Sequence, residues 1–406
     1  MSLRQSKPTD RPRTVLFLGT HGQQNVGDEL LLHTFLTQLG PEHRYLVNSY
    51  DPEATATWLS DWPQVEVFDT AGNRLRFARH LLQCDIVIFG GGSIVKELYP
   101  STGRWRHATL LMVLATVAFA RLVARRPVIM SNIGVGPITT PMGRFLARRI
   151  LKLASHVTVR DQGSADICDE LGLTSQKVQR VPDAVWINKV TDLIRVGAST
   201  VAPQGPSGTA ASEVTPIRLA LNLNHDIANG ANWETFTAQL TEAIRIVAHH
   251  RPLELHALPM QCGFKDNDDL AMITQLFRRL ETVSSIVHQP KDHWEVASII
   301  SNCDVVVSER LHAIVLAAIV GRPVVALPYD VKVSQLTGQL GLDRRSFDVN
   351  RPFDPEALAG AILAAADDSA ESERLTGIAE LNRQHLEQHF DQLREWVRQP
   401  CVPSGP

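Results

Sequence analysis

The chain has 406 residues, of which 44% are hydrophobic and 20% are charged, and its formal net charge is -3. This composition excludes an intrinsically disordered protein, and the near balance of charge gives no overall attraction to nucleic acid. A chain of this length exceeds one ordinary hydrophobic core, so we expect two domains.

Five cysteines are scattered along the chain: Cys84, Cys168, Cys262, Cys303 and Cys401. They form no CxxC pair, which argues against a structural zinc site or a disulfide framework. We expect the cysteines to be small buried apolar side chains in a reducing cytoplasm.

The polar start of the chain lacks the apolar core of a signal peptide. The longest apolar run, Ala108–Ala120, is shorter than the roughly 18–20 residues that cross a bilayer. It predicts a buried helix, and attachment to a membrane surface stays open.

Short apolar runs alternate with helical patterns in the first half of the chain. "TVLFLG" (Thr14–Gly19) predicts a strand, and "DELLLHTFLTQLG" predicts a helix that stops at Gly40. Further strands are predicted in "DIVIFGGG", "PVIMSNIGVGP", "HVTVRD" and "VQRVPDAVW". Because these strands are continuously apolar, we expect a parallel sheet that is covered on both faces.

The composition changes at Gly197–Pro216, a segment rich in Gly, Pro, Ser, Thr and Ala that predicts a linker or long loop. The alternating pattern then resumes, with helices such as Trp233–Ala248 and His312–Val320. Strands are predicted in "IRLALNLN", "LELHALP", "SSIVHQP", "CDVVVSE" and "RPVVALPYD".

These patterns predict an α/β fold with two Rossmann-like, doubly wound domains that face each other across a cleft. The N-terminal domain is predicted at 13–196, the linker at 197–216 and the C-terminal domain at 217–370. A C-terminal helix at 371–400 is predicted to pack back across the domains.

The first glycine-rich loop, "GTHGQQNVGDE" (Gly19–Glu29), lies between a predicted strand and a predicted helix. Backbone N–H groups and the helix dipole can receive a ligand there, and Asn25 and Asp28 add polar side chains. The alternative for Asp28 is a simple helix cap.

Two more loops follow predicted strands, at the edge where open α/β sheets bind ligands. In "FGGGSIVKE", Gly91 and Gly92 let a ligand approach the backbone closely, and Lys96 and Glu97 are expected as a solvated pair on the next helical turn. The third loop, "SNIGVGP", contains Asn132.

Two charged residues end further strands at the same rim. Arg160 can bind a carboxylate or phosphate through two parallel hydrogen bonds, or it can form a salt bridge with a neighbouring carboxylate. Asp183, in "VPDAV", is expected as a cap or a polar contact.

The segment "SERLHAIVLAAIVGRPVVALPYDVKV" places ionisable residues around one apolar unit. Glu309, Arg310 and His312 stand ahead of the helix, and Lys332 follows the next strand. Histidine titrates at a pKa of about 6.5, so it can donate or accept a proton at neutral pH. We expect Arg310, His312 and Lys332 to converge on one anion-binding pocket.

No metal site is predicted. The 15 histidines form no HExxH motif, and the acidic run Asp266–Asp269 lacks the glycine and the later glutamate of a calcium loop. That run predicts a helix N-terminus with favourable dipole pairing. There is also no GxSxG nucleophile motif.

In this order the motifs resemble the polysaccharide pyruvyltransferase family. The resemblance covers most of Thr14–Leu342 and rests on "GTHGQQNVGDELLL", "DIVIFGGGSIVKE", "SNIGVGPI", "VTVRDQGSADIC", "VPDAV" and the basic segment above. It implies a GT-B-like fold. It also implies transfer of the enolpyruvyl unit of phosphoenolpyruvate (PEP) to a pair of sugar hydroxyls, which gives a pyruvate ketal and phosphate. PEP is then a co-substrate, and no cofactor is expected.

The resemblance also implies which residues bind PEP, and the loops and the chemistry of the reaction suggest the other roles. Those predicted to bind PEP are Arg310, His312, Lys332 and Arg160. His312 is the leading candidate for proton transfer, or for stabilising the departing phosphate, and Asp28 and Glu309 are weaker candidates for the base. The residues predicted on the acceptor side are Asn25, Gly91, Gly92, Asn132 and Asp183. The chain departs from relatives in its first loop and its long linker, which leaves the acceptor open.

Two rival functions remain from the sequence. One is a nucleotide-sugar-dependent glycosyltransferase of GT-B fold, for which Asp330 is the only acid placed to hold a ribose. The other is a non-catalytic sugar- or nucleotide-binding protein. The predicted partners are PEP and a saccharide or lipid-linked sugar acceptor, without nucleic acid. We expect a cytoplasmic location, including the inner face of the membrane, and oligomerisation stays open.

Overall fold

The computed structural model describes residues 11–70, 72–98, 104–194, 215–224, 231–263 and 268–399. Its described residues form two compact units. The first contains residues up to 23, residues 28–187 and residues from 382 onward, and the second contains residues 24–27 and 188–381. The predicted linker Gly197–Pro216 lies outside the described residues except for its last two positions, as does Cys401.

The first unit is built on a parallel sheet. Its strands are β1 (Thr14–Leu18), β2 (Arg44–Ser49), β3 (Val65–Asp69), β4 (Ile86–Gly90), β5 (Ser93–Val95), β6 (Val128–Val135), β7 (His156–Val159) and β8 (Val178–Arg180). Its helices are α1 (Val26–Leu39), α2 (Pro52–Trp58), α3 (Arg74–Gln83), α4 (Ala108–Ala118), α5 (Pro141–Leu153) and α6 (Gln162–Glu170). The strand order is β3-β2-β1-β4-β6-β7-β8, with β5 paired to β6.

The second unit has a smaller parallel sheet. Its strands are β9 (Ile217–Asn222), β10 (Leu253–Ala257), β11 (Ser284–Val287), β12 (Val305–Ser308) and β13 (Val324–Ala326), in the order β11-β10-β9-β12-β13. Its helices are α7 (Val190–Leu193), α8 (Ala231–His250), α9 (Asp269–Phe277), α10 (His293–Ser301), α11 (Leu311–Ile319), α12 (Val331–Gln339) and α13 (Pro355–Ala366). The last helix, α14 (Ser369–Arg398), begins in the second unit and ends in the first.

Continuous apolar runs explain both sheets. Every residue of β4, β6 and β12 is buried, as expected when helices cover both faces of a parallel sheet. The predicted stop of the first helix is confirmed, because Gly40 adopts a left-handed φ of 96° after α1. The prediction of two Rossmann-like domains is therefore confirmed.

In each sheet the order in which strands are added changes direction at the first strand. In the first sheet β1 lies between β2 and β4, and in the second β9 lies between β10 and β12. In open α/β sheets, ligands bind beyond the carboxyl ends of the strands at such switch points. These two places are where functional side chains are expected.

One local prediction is wrong. Lys96 and Glu97 do not lie on a helical turn, because Ser93–Val95 forms strand β5 and α4 begins only at Ala108. Glu97 is buried and accepts hydrogen bonds from the backbone N–H groups of Thr139 (3.0 Å) and Thr140 (3.1 Å). These bonds and those from the two threonine hydroxyls outweigh burial and hold the pKa of Glu97 at about 2.

The apolar run Ala108–Ala120 forms α4 and the start of a π-helical turn, Phe119–Val123. One face, including Leu110 and Val113, is buried against the first core. None of the helices formed by the described residues is both long enough and apolar enough to traverse a bilayer.

Candidate functional site

The switch point of the second sheet is held by Asn222, a fully buried residue at the end of β9. Its Oδ1 accepts hydrogen bonds from the backbone N–H of Arg310 (3.0 Å) and from Ser308 Oγ (3.0 Å). Arg310 follows β12 and is the N-cap of α11. The sequence prediction that Arg310 lies at the carboxyl edge of a strand is therefore matched by this local geometry.

The Arg310 guanidinium is fixed by Asp269, the first residue of α9. Nε lies 3.1 Å from Oδ2 and Nη2 lies 2.5 Å from Oδ1, while Nη2 also donates to Gln261 Oε1 at 3.2 Å. Asp269 is buried and further accepts from the Met260 N–H (3.0 Å) and Asn222 Nδ2 (3.1 Å). The orientation of Arg310 is thus set before any ligand arrives.

His312 lies on the first turn of α11, against Gly27. A methyl group built on Gly27 would stand 2.1 Å from His312 Nδ1 and 2.9 Å from its Cγ. Only glycine leaves room for the imidazole at this position. Residues 24–27 group with the second unit, where Val26 N–H donates to the Met260 carbonyl (2.8 Å) and Asn25 forms a β-bridge with Gln261.

Lys332 lies on the first turn of α12, which follows β13. Its Nζ is 3.1 Å from Asp330 Oδ2 and 5.2 Å from the centre of the Tyr329 ring. Burial raises the pKa of Tyr329 above its ordinary value, and the charges of Lys332 and Arg310 both act to lower it. Both cations therefore act on the same phenol, a residue that the sequence did not single out.

Helix α11 differs from its neighbours at its N-terminus. Asp268, Asp292 and Asp330 cap α9, α10 and α12 by accepting a backbone N–H with their side chains. Arg310 makes no such capping bond, so α11 begins with a cation and carries its partial positive dipole end beside it. An anion complements both charges.

Glu309 is fully buried, and its Oε2 accepts the backbone N–H of Asn224 at 3.1 Å. It fixes the chain after β9. The role of Glu309 as the base stays a prediction.

In the first unit, two consecutive glycines follow β4 with left-handed φ angles, 67° at Gly91 and 68° at Gly92. Gly91 packs on Leu31, since an added methyl would lie 2.7 Å from that side chain. Gly92 is buried, and a methyl added to it would meet no atom closer than 3.8 Å; its nearest polar neighbour would be Asp28 Oδ1 at 3.9 Å. There is therefore room for one further atom at Gly92, next to Asp28.

Arg160 makes the ion pairs that were its alternative interpretation. Its Nη1 donates to Asp183 Oδ2 at 3.0 Å, its Nε is 3.6 Å from Asp161 Oδ2 and its Nη2 donates to Ser93 at 3.1 Å. Burial disfavours the charged guanidinium, but Asp183, Asp161 and Asp28 outweigh burial and raise the pKa of Arg160. Carboxylates outnumber cations in this group.

The two asparagines predicted on the acceptor side have structural contacts. Asn25 Oδ1 accepts the Gly27 N–H at 3.0 Å, so Asn25 makes the bond at the start of α1 that had been considered for Asp28. Asn132 is fully buried with φ of 54°, and its side chain bonds to His389 of α14 (2.9 Å) and to the Pro182 carbonyl (2.8 Å). Asp183 Oδ1 also accepts the Val185 N–H (3.1 Å), as a cap would.

Sequence reasoning missed Glu29, next to Asp28. Burial raises the pKa of Glu29 to about 7, and its Oε1 accepts the Gly22 N–H at 2.7 Å. Nothing in "GDE" singles out Glu29, because both carboxylates are half-buried and only the folded surroundings show which one loses water enough to raise its pKa. Asp269 was also missed, although the acidic run Asp266–Asp269 was predicted to begin a helix and Asp269 is the first residue of α9.

Within the described residues, no cluster of three or more His, Cys, Asp or Glu side chains is placed to hold a metal ion.

The comparison with protein families agrees with the motifs. The model of the family "Polysaccharide pyruvyl transferase" matches residues 25–331, which is most of the chain. The chain belongs to the polysaccharide pyruvyl transferase family. The match extends from Asn25 to the residue before Lys332 and includes Arg310 and His312.

The chain is also similar to a distant relative in sequence. The amylovoran biosynthesis protein AmsJ of Erwinia amylovora is 21% identical over 299 residues, which are 70% of this chain and 66% of that protein. The chain thus spans slightly less than two thirds of AmsJ.

Solved structures share the fold. The crystal structure of Anabaena HepE in complex with UDP and glucose has a TM-score of 0.61 at 16% identity, and it covers 95% of this chain and 99% of HepE. A putative UDP-N-acetylglucosamine 2-epimerase from Listeria monocytogenes has a TM-score of 0.56 at 11% identity, covering 94% and 97% of the two chains. At these identities the likeness concerns the fold alone.

Proposed function

We propose that the protein transfers the pyruvyl group of PEP to a hydroxyl pair of a saccharide or lipid-linked sugar, forming a pyruvate ketal and releasing phosphate. Membership of the polysaccharide pyruvyl transferase family supports a saccharide acceptor. The second unit supports the binding of PEP, and the first unit supports the binding of the saccharide.

The N-terminus of α11 carries the donor assignment. Arg310 is the N-cap residue there, and its side chain makes no capping hydrogen bond to the helix. His312 follows on the first turn. PEP brings a phosphate and a carboxylate, and each charge-assisted hydrogen bond to such groups contributes roughly 1.5–3 kcal/mol. We expect the second anionic group to bind Lys332, whose ion pair with Asp330 is one-third exposed on the lysine side and therefore weak.

The first-unit cluster suits a sugar better than it suits PEP. Asp28 lies next to Gly92, where the packing leaves room for a further atom, and Arg160 is already neutralised by Asp183 and Asp161. Carboxylates accept hydrogen bonds from hydroxyl groups, whereas they repel a phosphate. We therefore assign Arg160 to holding Asp183 in position, and we assign the saccharide to this unit.

The chemistry needs one proton donor and one base. Protonation of the PEP methylene carbon makes C2 electrophilic, and one sugar hydroxyl adds to C2 as it loses its proton. The second hydroxyl then attacks C2 and its proton passes to the departing phosphate as the C2–O bond to phosphate breaks, which gives the ketal and inorganic phosphate. We assign His312 to proton transfer at PEP and Asp28 to accepting a hydroxyl proton, steps that typically contribute about 10²–10⁴-fold each.

The decisive experiment measures donor binding and phosphate release. We expect PEP to raise the melting temperature of the full chain, and the Arg310→Ala and His312→Ala variants to lose this shift while Arg351→Ala, an exposed arginine, keeps it. With PEP and p-nitrophenyl glycosides of galactose, glucose and mannose as probes, we expect one phosphate per ketal formed. Stabilisation by PEP that persists in both site variants would place the donor elsewhere.

A nucleotide-sugar-dependent glycosyltransferase is the second candidate. It is favoured by the complexes with UDP and glucose that HepE forms on the same fold. UDP-glucose in the same melting assay separates the two functions. Stabilisation by UDP-glucose without stabilisation by PEP favours glycosyl transfer, and PEP binding without turnover of any acceptor favours a non-catalytic binding protein.

A further inference from the structure

One stretch of the chain has an unusual charge. Between Glu97 and Asp161 there is no acidic residue, although the whole chain has 43 Asp and Glu against 40 Lys and Arg. The same stretch contains these basic residues: Arg104, Arg106, Arg121, Arg125, Arg126, Arg144, Arg148, Arg149, Lys152 and Arg160. A strongly positive segment is therefore embedded in a chain of net charge -3.

The same stretch exposes large apolar side chains. Leu122, Val123 and Trp105 are 60% or more exposed, and Met142 and Phe145 are each 54% exposed. Leu111 and Met112 of α4 are also exposed, at 42% and 51%. Single exposed apolar residues are ordinary, but four on two neighbouring helices, with three more in the segments that flank α4, indicate an interaction surface.

The fold puts these residues on one surface. Helices α4 and α5 pack side by side, and they precede β6 and β7, which are neighbours in the sheet. Right-handed crossovers place both helices on the same face of the sheet, with their N-termini toward the carboxyl ends of the strands. On α4, Leu111 and Met112 point away from the buried Leu110 and Val113.

Helix α5 also exposes apolar side chains, and basic side chains lie beside them. Met142 and Phe145 occupy its exposed side near the N-terminus, and Arg148, Arg149 and Lys152 continue that side, opposite a buried face. Arg149 lies over the Phe145 ring at 5.2 Å. We call the exposed sides of α4 and α5, with Trp105 and Arg106 before α4, the α4–α5 surface.

Charge complementarity selects the partner. A second copy of this chain would bring a like-charged surface to the same place, so the arginines oppose self-association. Nucleic acid would match the arginines but not the leucine, methionine and phenylalanine side chains. An anionic bilayer matches both, because its acyl region takes the apolar side chains and its headgroups take the cations, with tryptophan at the boundary.

We propose that the α4–α5 surface docks this protein on an anionic membrane leaflet, with both helices lying on the leaflet and not crossing it. The N-terminal ends of α4 and α5 point toward the carboxyl edge of the first sheet, where Gly92 and Asp28 also lie. A sugar acceptor carried on a lipid would therefore be presented to that edge. The docking itself does not depend on which reaction the protein catalyses.

The test is flotation of the full chain with vesicles. We expect binding to vesicles that contain phosphatidylglycerol, and at least tenfold weaker partitioning to vesicles of phosphatidylcholine alone. Raising the salt from about 0.1 M to about 1 M shortens the Debye length from about 10 Å to about 3 Å and should weaken the binding similarly. Arg148→Glu/Arg149→Glu should lower partitioning at least about 25-fold, since each basic residue near an anionic surface contributes roughly fivefold.

A second variant isolates the apolar contribution. Met112→Ser/Phe145→Ser should lower partitioning about a hundredfold, at roughly tenfold per buried large side chain. Leu381→Ser and Arg351→Glu are the matched controls, because both residues are exposed outside the surface, and they should bind as the wild type does. All of the variants change solvent-exposed side chains, so circular dichroism melts should coincide.

Three results would overturn the proposal. They are failure of the wild type to float with phosphatidylglycerol vesicles, equal loss of binding in the control variants, and a concentration-dependent dimer that Met112→Ser/Phe145→Ser abolishes. The last result would assign the surface to a second copy of the chain.

Discussion

Gly27→Ala is the sharpest test of the second-unit site. Gly27 lies inside α1, where alanine is ordinarily better than glycine by about 0.5–1 kcal/mol because the helix restricts glycine more. Here the added methyl would stand 2.1 Å from His312 Nδ1, 2.9 Å from Cγ and 3.2 Å from Cβ. Rotation of the ring alone cannot relieve the contact, since Cγ and Cβ are also too close.

The size of the effect follows from these distances. Ordinary contact begins at 3.4 Å, so Nδ1 must move by more than 1 Å. Forcing extra carbon into a packed position typically costs about 1–3 kcal/mol, which exceeds the helix preference for alanine. A displacement of 1 Å at a proton-transferring group lowers the rate by about 10²-fold.

The assay is a double-mutant cycle measured by urea unfolding, with Gly27→Ala, His312→Ala and both together. We expect Gly27→Ala to destabilise the wild type and to be neutral or stabilising when residue 312 is alanine, because the obstructing ring is then gone. Gly360→Ala is the matched control. It adds a methyl within α13 where no atom lies within 4 Å, so it should stabilise the protein by roughly 0.5–1 kcal/mol.

Equal effects of Gly27→Ala in the two backgrounds would refute this account, because the penalty would then not pass through the imidazole. A fully active Gly27→Ala variant would separately refute His312 as the proton-transferring group. The stability cycle therefore tests the geometry, and the rate tests the assigned role.

Two further predictions concern the carboxylates of Glu29, which is half-buried, and Asp269, which is buried. Glu29→Gln retains an acceptor for the Gly22 N–H but removes a group whose pKa burial raises to about 7. The folded wild type holds the Glu29 proton more tightly than the unfolded chain does. The free energy of unfolding of the wild type should therefore fall by up to about 3 kcal/mol relative to the variant as pH rises from about 4.5 to about 7. Urea unfolding across this range measures the difference, and a pH-independent gap would contradict it. Asp269→Asn should cost about 3–5 kcal/mol by leaving Arg310 without its buried counter-charge, whereas Asp330→Asn, which keeps a helix cap and loses a partly exposed pair, should cost less than about 1 kcal/mol. Thermal unfolding compares the two, and similar losses would contradict the difference in burial.

What the sequence could predict here is local. Continuous apolar runs identify strands that are buried on both faces, and Gly40 ends α1 where its left-handed φ is needed. Arg310, His312 and Lys332 each follow a strand along the chain, so their place at the carboxyl edge of the second sheet follows from the parallel topology alone.

The contacts that give those residues their properties are not local. Arg310 is oriented by Asp269, 41 positions earlier, and Asn132 is bonded to His389, 257 positions later. Neither periodicity nor composition carries information about such pairs. Glu97 shows the same limit, because its charge and its position after three glycines resemble a solvated turn, while the fold buries it under two threonines.

Burial also separates two cations that look equivalent in the sequence. The side chains of Arg310 and Asp269 are 12% and 1% exposed, so breaking their pair is costly and the guanidinium stays where it is. The side chains of Lys332 and Asp330 are 32% and 18% exposed, and a pair of that kind contributes at most about 1 kcal/mol. A doubly charged ligand would therefore meet one cation that is already oriented and one that turns toward it at small cost. In the proposed reaction, Arg310 would set where the anion binds, and Lys332 would contribute only once the anion has bound.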